Sequence, residues 1–214
     1  MPAHSFSLVS PFYDSLSRLV FGPAIYRSQQ VHMPLIPAGA RVLLIGGGTG
    51  KLLPALMEQA RCREVVFLEA SDKMLAKARE QVAGQEYAGS IVFRLGTEED
   101  IAPEDKFDVV LTHFFLDLFA PAALNKIISR LHRALVPGGW WLASDFVWPG
   151  GSPLRRALAS TLFRSMYLFF RLTCGISATT LPDWQDRLAH FHLKSIKSAY
   201  FYHGLIKAAA YQKE

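Results

Sequence analysis

The sequence predicts an α/β fold built on one mostly parallel, seven-stranded sheet that ends in an antiparallel hairpin, with helices on both faces and a helical flank at the N-terminus. Three observations carry this reading. From position 41, short apolar runs alternate with helix-like segments, the order of strand–helix–strand units. Several of the runs are apolar on successive residues, as strands covered on both faces require. The last two runs, Ser195–Tyr202 and Leu205–Tyr211, are separated only by His203-Gly204. Strands joined that tightly must be antiparallel, because a parallel pair needs a crossover of about a dozen residues.

The elements follow in order. Residues 1–38 hold two short helices, split at Gly22-Pro23 and closed by Pro34 and Pro37. The parallel strands are expected at Arg41–Ile45, Glu64–Glu69, Ile91–Leu95, Phe107–Thr112 and Trp140–Phe146. Helices are expected at Lys51–Ala60, Asp72–Ala83 and Ala122–Leu135, with Ser71 capping the second and Pro137-Gly138-Gly139 stopping the third. Residues 153–172 form one long apolar helix, and Leu181-Pro182-Asp183 starts another short one. All 214 residues are expected in one domain: flank 1–38, core 39–146, and a lid helix with the hairpin over 147–214.

Half of the residues are hydrophobic and 19% are charged, so the chain can bury a real core and is not disordered. Cys62 and Cys174 are too few for a disulfide framework or a zinc cluster, and His190 and His192, two apart, do not share a helix face. No metal site is expected. The start, MPAHSFSLVSPFYD, lacks a basic region followed by an apolar run, and Arg164 and Arg171 interrupt the greasiest stretch. A cytoplasmic protein is expected. The net charge is uneven: −1 over residues 1–150 and +6 over 151–214. On helix 153–172, Arg156, Ser160, Arg164 and Arg171 fall within about 80° of one another. Leu158, Leu162, Phe163, Met166, Leu168, Phe169 and Phe170 occupy the rest of its surface. A basic stripe beside so wide an apolar face suits peripheral contact with an anionic membrane.

The sharpest motif is VLLIGGGTG at 42–50, a buried strand running into Gly46, Gly47, Gly48, Thr49 and Gly50. Glycines there let the backbone approach a ligand while the following helix offers free N–H groups. The dinucleotide fingerprint needs glycine at 51, which is Lys51. The phosphate loop needs glycine at 45 and Ser or Thr at 52, which are Ile45 and Leu52. The pattern left is G-x-G-x-G at Gly46, Gly48 and Gly50, and here the chain resembles the class I S-adenosylmethionine (SAM)-dependent methyltransferases. Four further segments agree in order and spacing: VVFLEASDKML (65–75), GTEED (96–100), KFDVVLTHFFLDLF (106–119) and LHRALVPGGWWLASDF (131–146).

The resemblance implies SAM as cofactor, S-adenosylhomocysteine (SAH) as product and a small-molecule methyl acceptor. It implies a cofactor site drawn from Gly46, Gly47, Gly48, Thr49, Gly50, Glu69, Ala70, Ser71, Met74, Gly96, Thr97, Glu98, Thr112 and His113. Glu69, about twenty residues past the glycines, would accept the ribose hydroxyls, and Met74 would flank the adenine. Two positions depart from the family. Thr97 stands where an acid usually meets the adenine amino group, with Glu98 following. Leu44 stands where an acid commonly helps to place the methionine part. The flanks are similar to the ubiquinone/menaquinone C-methyltransferase branch, whose Tyr-Asp pair closes over the cofactor; this carries over to Tyr13 and Asp14 and adds Tyr13 to the implied cofactor site. That branch's Phe-Gly-Leu-Arg-Asn segment is replaced here by Phe-Phe-Leu-Asp-Leu.

His113, at the end of the fourth strand, is the first choice for a general base. Tyr13, His32, Asp117, Tyr202 and His203 are weaker choices, and Asp145 and Trp148 would line the acceptor pocket. Thr112-His113-Phe114-Phe115 differs from the Asn/Asp-Pro-Pro-Tyr/Phe of enzymes that methylate amino groups of bases or glutamine. No appended nucleic-acid module fits in the length. The acceptor is therefore expected to be small and largely apolar, enclosed by the two flanks, the N-terminal one through Phe12, Leu16, Leu19, Val20, Phe21, Ile25 and Tyr26. Two rivals come from other classes: a methyltransferase-like fold serving as a SAM-binding or interaction module, and a nicotinamide-dependent oxidoreductase.

Overall fold

The computed structural model describes residues 21–174 and 178–214. Five strands run parallel: β1 (Arg41–Ile45), β2 (Glu64–Glu69), β3 (Ser90–Leu95), β4 (Phe107–His113) and β5 (Leu135–Phe146). The hairpin strands β6 (Leu193–Phe201) and β7 (Ile206–Lys213) complete one sheet of order β3-β2-β1-β4-β5-β7-β6, with β7 antiparallel to both of its neighbours. The order reverses between β1 and β4. In open α/β sheets that reversal leaves a crevice at the carboxyl ends of the strands, where ligands bind.

The helices are α1 (Ala24–Gln30), α2 (Leu53–Ala60), α3 (Asp72–Gln81), α4 (Pro121–Ala134), α5 (Pro153–Cys174) and α6 (Trp184–Ala189). Ser71 caps α3 as expected, its Oγ accepting from the Met74 N–H at 3.3 Å. Asp183 caps α6 in the same way through the Asp186 N–H. The first expected helix of the N-terminal flank, with Phe12, Leu16, Leu19 and Val20, lies outside the described residues.

Two boundaries differ from expectation for a physical reason. The helix expected from Lys51 begins at Leu53, because residues 46–52 are taken up by the glycine turn. The fifth strand starts at Leu135 rather than Trp140. Leu135 already pairs with Phe107, after which the register jumps to Val109↔Trp140, so Pro137-Gly138-Gly139 bulges out of the ladder instead of merely ending a helix. Lys213 at the end of β7 donates to the carbonyls of His132 and Leu135 at 2.7 Å each, closing the C-terminus of α4 with a cation.

Both faces of the sheet are packed. One core holds Phe107, Trp141 and Trp184 beside α4 and α6, and the other holds Leu44, Phe67 and Leu56 beside α2. A third cluster lies over the carboxyl end of β5 and the amino end of β7, where Phe21 meets Phe146, Phe163, Tyr167 and Ile206. This cluster joins the N-terminal flank to α5.

Candidate functional site

The glycine loop is built by register. Ile45 pairs with Leu68, so the chain leaving β1 at Gly46 runs beside the end of β2, and the Gly46 N–H donates to the Leu68 carbonyl at 2.9 Å. Glu69 is buried there, with Oε2 accepting from the Gly48 N–H and Oε1 from the Ser71 N–H, both at 3.0 Å. Burial raises its pKa, while the backbone donors of Ser71, Gly48 and Ala70 pull it back down. An ionised carboxylate has about four lone-pair directions, and these backbone donors leave capacity for a further hydroxyl donor.

Gly48 has φ +60°, and among the described residues a Cβ built there would meet only the Met74 sulfur, 3.9 Å away. The backbone is therefore open to a ligand at this point, with Met74 as its apolar neighbour. Gly50 answers a different need: with φ +74°, its Cβ would lie 2.6 Å from that of Ala78, so the loop sits directly on α3. Gly47 and Thr49 complete the turn. Gly96 is tied to the same place by donating its N–H to the Glu69 carbonyl at 2.9 Å.

Beyond Gly96, Thr97 is spent on its own turn. Its Oγ1 accepts from the Glu99 N–H at 3.2 Å, and its N–H donates to Asp100 Oδ2 at 2.8 Å, a capping box over Glu98–Asp100. The Glu98 carbonyl accepts from Arg130. Gly46 through Gly50, Glu69 to Ser71, Met74 and Gly96 to Glu98 thus converge at the carboxyl ends of β1, β2 and β3. Tyr13 and Asp14 lie outside the described residues.

The end of β4 departs from expectation. Thr112 does not present its hydroxyl to that convergence: it is fully buried, and Oγ1 accepts from the Trp141 indole N–H at 2.8 Å inside the core. His113 is also buried, and neither ring nitrogen has a partner among the described residues. Burial, aided by nearby His32, pushes its pKa down to about 3, so the ring is neutral at physiological pH. A general base works best with a pKa near the working pH, and this position does not suit that role. What His113 offers is a neutral ring with hydrogen-bonding capacity unspent. His32 itself contacts the Ala208 carbonyl at 3.3 Å through Nε2.

The other side of this edge holds a cluster that the sequence motifs reach only in part. Asp145 is fully buried, with Oδ2 accepting from Leu116 N–H (3.0 Å) and Asp117 N–H (3.3 Å) and Oδ1 from Phe146 N–H (2.9 Å). It holds the loop after β4 rather than lining a pocket. Asp117, also buried, accepts from the Tyr167 hydroxyl at 3.2 Å through Oδ2, and its Oδ1 has no partner among the described residues. The two carboxyl groups share a hydrogen bond. Burial raises both pKa values, Asp117 to about 6 and Asp145 well above the ordinary range, so the pair retains a proton near neutral pH. Tyr167 carries no motif; its only sequence signal is its place on the inward stripe of α5 with Ala159 and Phe163. Trp148 is half-exposed, edge-on to Phe163 at 5.4 Å. With Phe146, Leu181, Pro182 and Gln185 it lines a depression of about 210 Å³.

A sheet of order 3-2-1-4-5-7-6, with a glycine loop after β1 and an acid closing β2, defines the class I methyltransferase fold. Residues 42–139 match the methyltransferase domain family, and the chain carries such a domain. It is 32% identical over 171 residues to the ubiquinone/menaquinone biosynthesis C-methyltransferase UbiE of Geobacter sulfurreducens, covering 78% of this chain and 62% of that one. It is 34% identical over 146 residues to the demethylmenaquinone methyltransferase of Thermus thermophilus, covering 66% and 64%. The chain thus spans less than two thirds of either relative's length. Among solved structures, the 1,6-didemethyltoxoflavin-N1-methyltransferase of Burkholderia thailandensis, with SAH and its substrate bound, superposes with a TM-score of 0.65 at 19% identity. The match covers 99% of this chain and 87% of that one.

Proposed function

We propose that this chain is a SAM-dependent methyltransferase that acts on a small, largely apolar acceptor in the cytoplasm. The observation that carries the reading is Glu69, buried beside the glycine loop with its backbone N–H bonds made and acceptor capacity left over. When bound, SAM supplies a methyl group already activated by its sulfonium. The protein's work is then alignment and exclusion of water, worth about 7–11 kcal/mol where reacting atoms are well placed.

In this reading Glu69 takes the ribose hydroxyls, the open backbone at Gly48 admits the ligand, and Met74 packs against the adenine. The turn at Gly96–Glu98 borders the adenine edge through its backbone, since the Thr97 hydroxyl is engaged within the turn. Leu44 is buried in the core, so it offers the methionine part no polar group; the unspent ring nitrogens of His113 are the substitute this reading assigns at the crevice. The apolar acceptor is supported by the third cluster, in which Phe21 of one flank and Phe163 and Tyr167 of the other cover the edge. The relatives named for quinone methylation agree with an apolar ring as acceptor class. After β4, however, Phe114, Phe115, Leu116, Asp117 and Leu118 stand in place of the quinone branch's Phe-Gly-Leu-Arg-Asn.

The test is transfer of label from methyl-labelled SAM into solvent-extractable product, using a panel of small hydroquinones, phenols and heteroaromatic amines. Label in at least one product, with SAH formed in equal amount, is expected. SAH binding by calorimetry with no label transferred to any class would favour a binding module, and NAD binding in place of SAH would favour an oxidoreductase.

A further inference from the structure

The lid helix α5 has two long sides, and the fold uses only one. Ala159, Phe163 and Tyr167 face inward and are buried in the third cluster. On the opposite side Leu154, Leu158, Leu168 and Leu172 are 70%, 66%, 57% and 78% exposed. At 100° per residue all four fall within about 80° of arc, one straight ridge from Leu154 to Leu172 of the 22-residue helix. Between them on the same line stand Thr161 and Ser165, small and uncharged. The Thr161 hydroxyl donates to the Ala157 carbonyl of its own helix at 3.2 Å, so it needs no water.

Charge indicates what covers the ridge. The helix contains four arginines and no acidic residue. Arg164 and Arg171 lie about 80–100° to one side of the ridge's midline and Arg155 about 100° to the other, all exposed. Arg155 also donates to the His203 carbonyl, which fixes its guanidinium beside the hairpin turn. A helix half-sunk in a lipid surface carries its cations at that angle, where long side chains reach the phosphates while the leucines enter the acyl boundary. A second copy is the poorer occupant: a two-fold contact on this face would bring arginine rows together with no acid on either helix to meet them. The helix does not cross a bilayer; among the described residues no helix is long and apolar enough to do so.

We infer that the outer face of α5 docks on anionic lipid bilayers, with Leu154, Leu158, Leu168 and Leu172 inserted and Arg155, Arg164 and Arg171 on the headgroup phosphates. Docking needs neither SAM nor an acceptor, so it stands or falls apart from methyl transfer.

The test is co-sedimentation of the full chain with two kinds of large vesicles: phosphatidylcholine alone, or phosphatidylcholine containing about one third phosphatidylglycerol. Binding to the anionic vesicles is expected, at least about tenfold weaker on the neutral ones and weakened again by raising salt to about 0.5 M. Leu158→Glu with Leu168→Glu should abolish it. Arg164→Gln with Arg171→Gln should weaken it about fivefold or more per charge and blunt its salt dependence. Both pairs sit on the exposed surface, and an unchanged thermal midpoint verifies that they fold. Equal binding by the leucine variant overturns the inference, as does failure of the wild type to bind anionic vesicles. A dimer in sedimentation velocity that the leucine substitutions dissolve also overturns it, since the ridge would then be a contact between copies.

Discussion

Glu69 and Asp145 are both buried carboxylates at the end of a parallel strand, and both hold a loop by its backbone N–H groups. They differ in what is left over. Glu69 accepts such bonds from Gly48 and Ser71 with the Ala70 N–H alongside, has no acidic partner in hydrogen-bond contact among the described residues, and stands beside an open stretch of backbone at Gly48. Asp145 accepts three and shares a hydrogen bond with a second buried acid, Asp117. A carboxylate with spare acceptor capacity at a ligand-sized opening is a binding group; one whose capacity is filled by its own chain is a structural anchor. The local chemistry is shared, and the neighbours separate the roles.

The largest effect should come from the anchor. Asp145→Ala leaves the N–H groups of Leu116, Asp117 and Phe146 without their acceptor in a buried site. Buried unsatisfied donors cost about 1–3 kcal/mol each, offset in part by relief of the repulsion with Asp117. A loss of about 3–5 kcal/mol in urea unfolding is expected on that basis. A loss under about 1 kcal/mol would mean that this loop does not depend on Asp145, and the contrast with Glu69 would collapse.

Glu69→Ala should show the reverse balance, a modest effect on folding and a clear one on ligand affinity. Charged hydrogen bonds contribute about 1.5–3 kcal/mol, so SAH affinity measured by calorimetry should fall roughly 10- to 150-fold. Unchanged affinity would remove Glu69 from the ribose and leave it as a second anchor.

This contrast also explains what could be read from the sequence. The cofactor side was legible because its chemistry is local: a glycine run, an acid about twenty residues on and Ser71 at a helix start are all set by spacing within one strand–helix–strand unit. The parallel run of strands and its closing hairpin followed from the same alternation and the short His203-Gly204 link. The β4–β5 edge was not legible in the same way. Whether Thr112 faces the crevice or Trp141 depends on which side of the sheet alternation assigns it, and strands apolar on both faces hide that phase. The pairing of Asp117 with Asp145, 28 residues apart, and with Tyr167 on a lid helix is a tertiary fact without spacing. The low basicity of His113 follows from its burial and the approach of His32, which no run of residues around position 113 announces.

The smallest effect, and the finest test of the comparison, is that of Asp117→Asn across pH. Asp117 has its folded pKa raised to about 6 from an ordinary value near 3.8. A carboxyl group raised on folding contributes stability that is present below its unfolded pKa and lost as pH rises through the folded one. The pair should therefore weaken the wild type between about pH 4 and pH 7. His113 acts in the opposite sense: with its pKa lowered to about 3, it takes up a proton on unfolding below about pH 6.5, so its contribution is lost as pH falls from there toward 3. The two trends oppose each other in the wild type between about pH 4 and 6.5. Asparagine at 117 can still donate to Asp145 but cannot repel it. Relative to wild type, the variant should gain about 1–2 kcal/mol at about pH 7.5 and almost nothing at about pH 4. Urea unfolding of both proteins at matched pH values measures this difference directly. A gain that does not change with pH would mean that Asp145 and Asp117 share no proton, and that the anchor carries its charge alone, as Glu69 does.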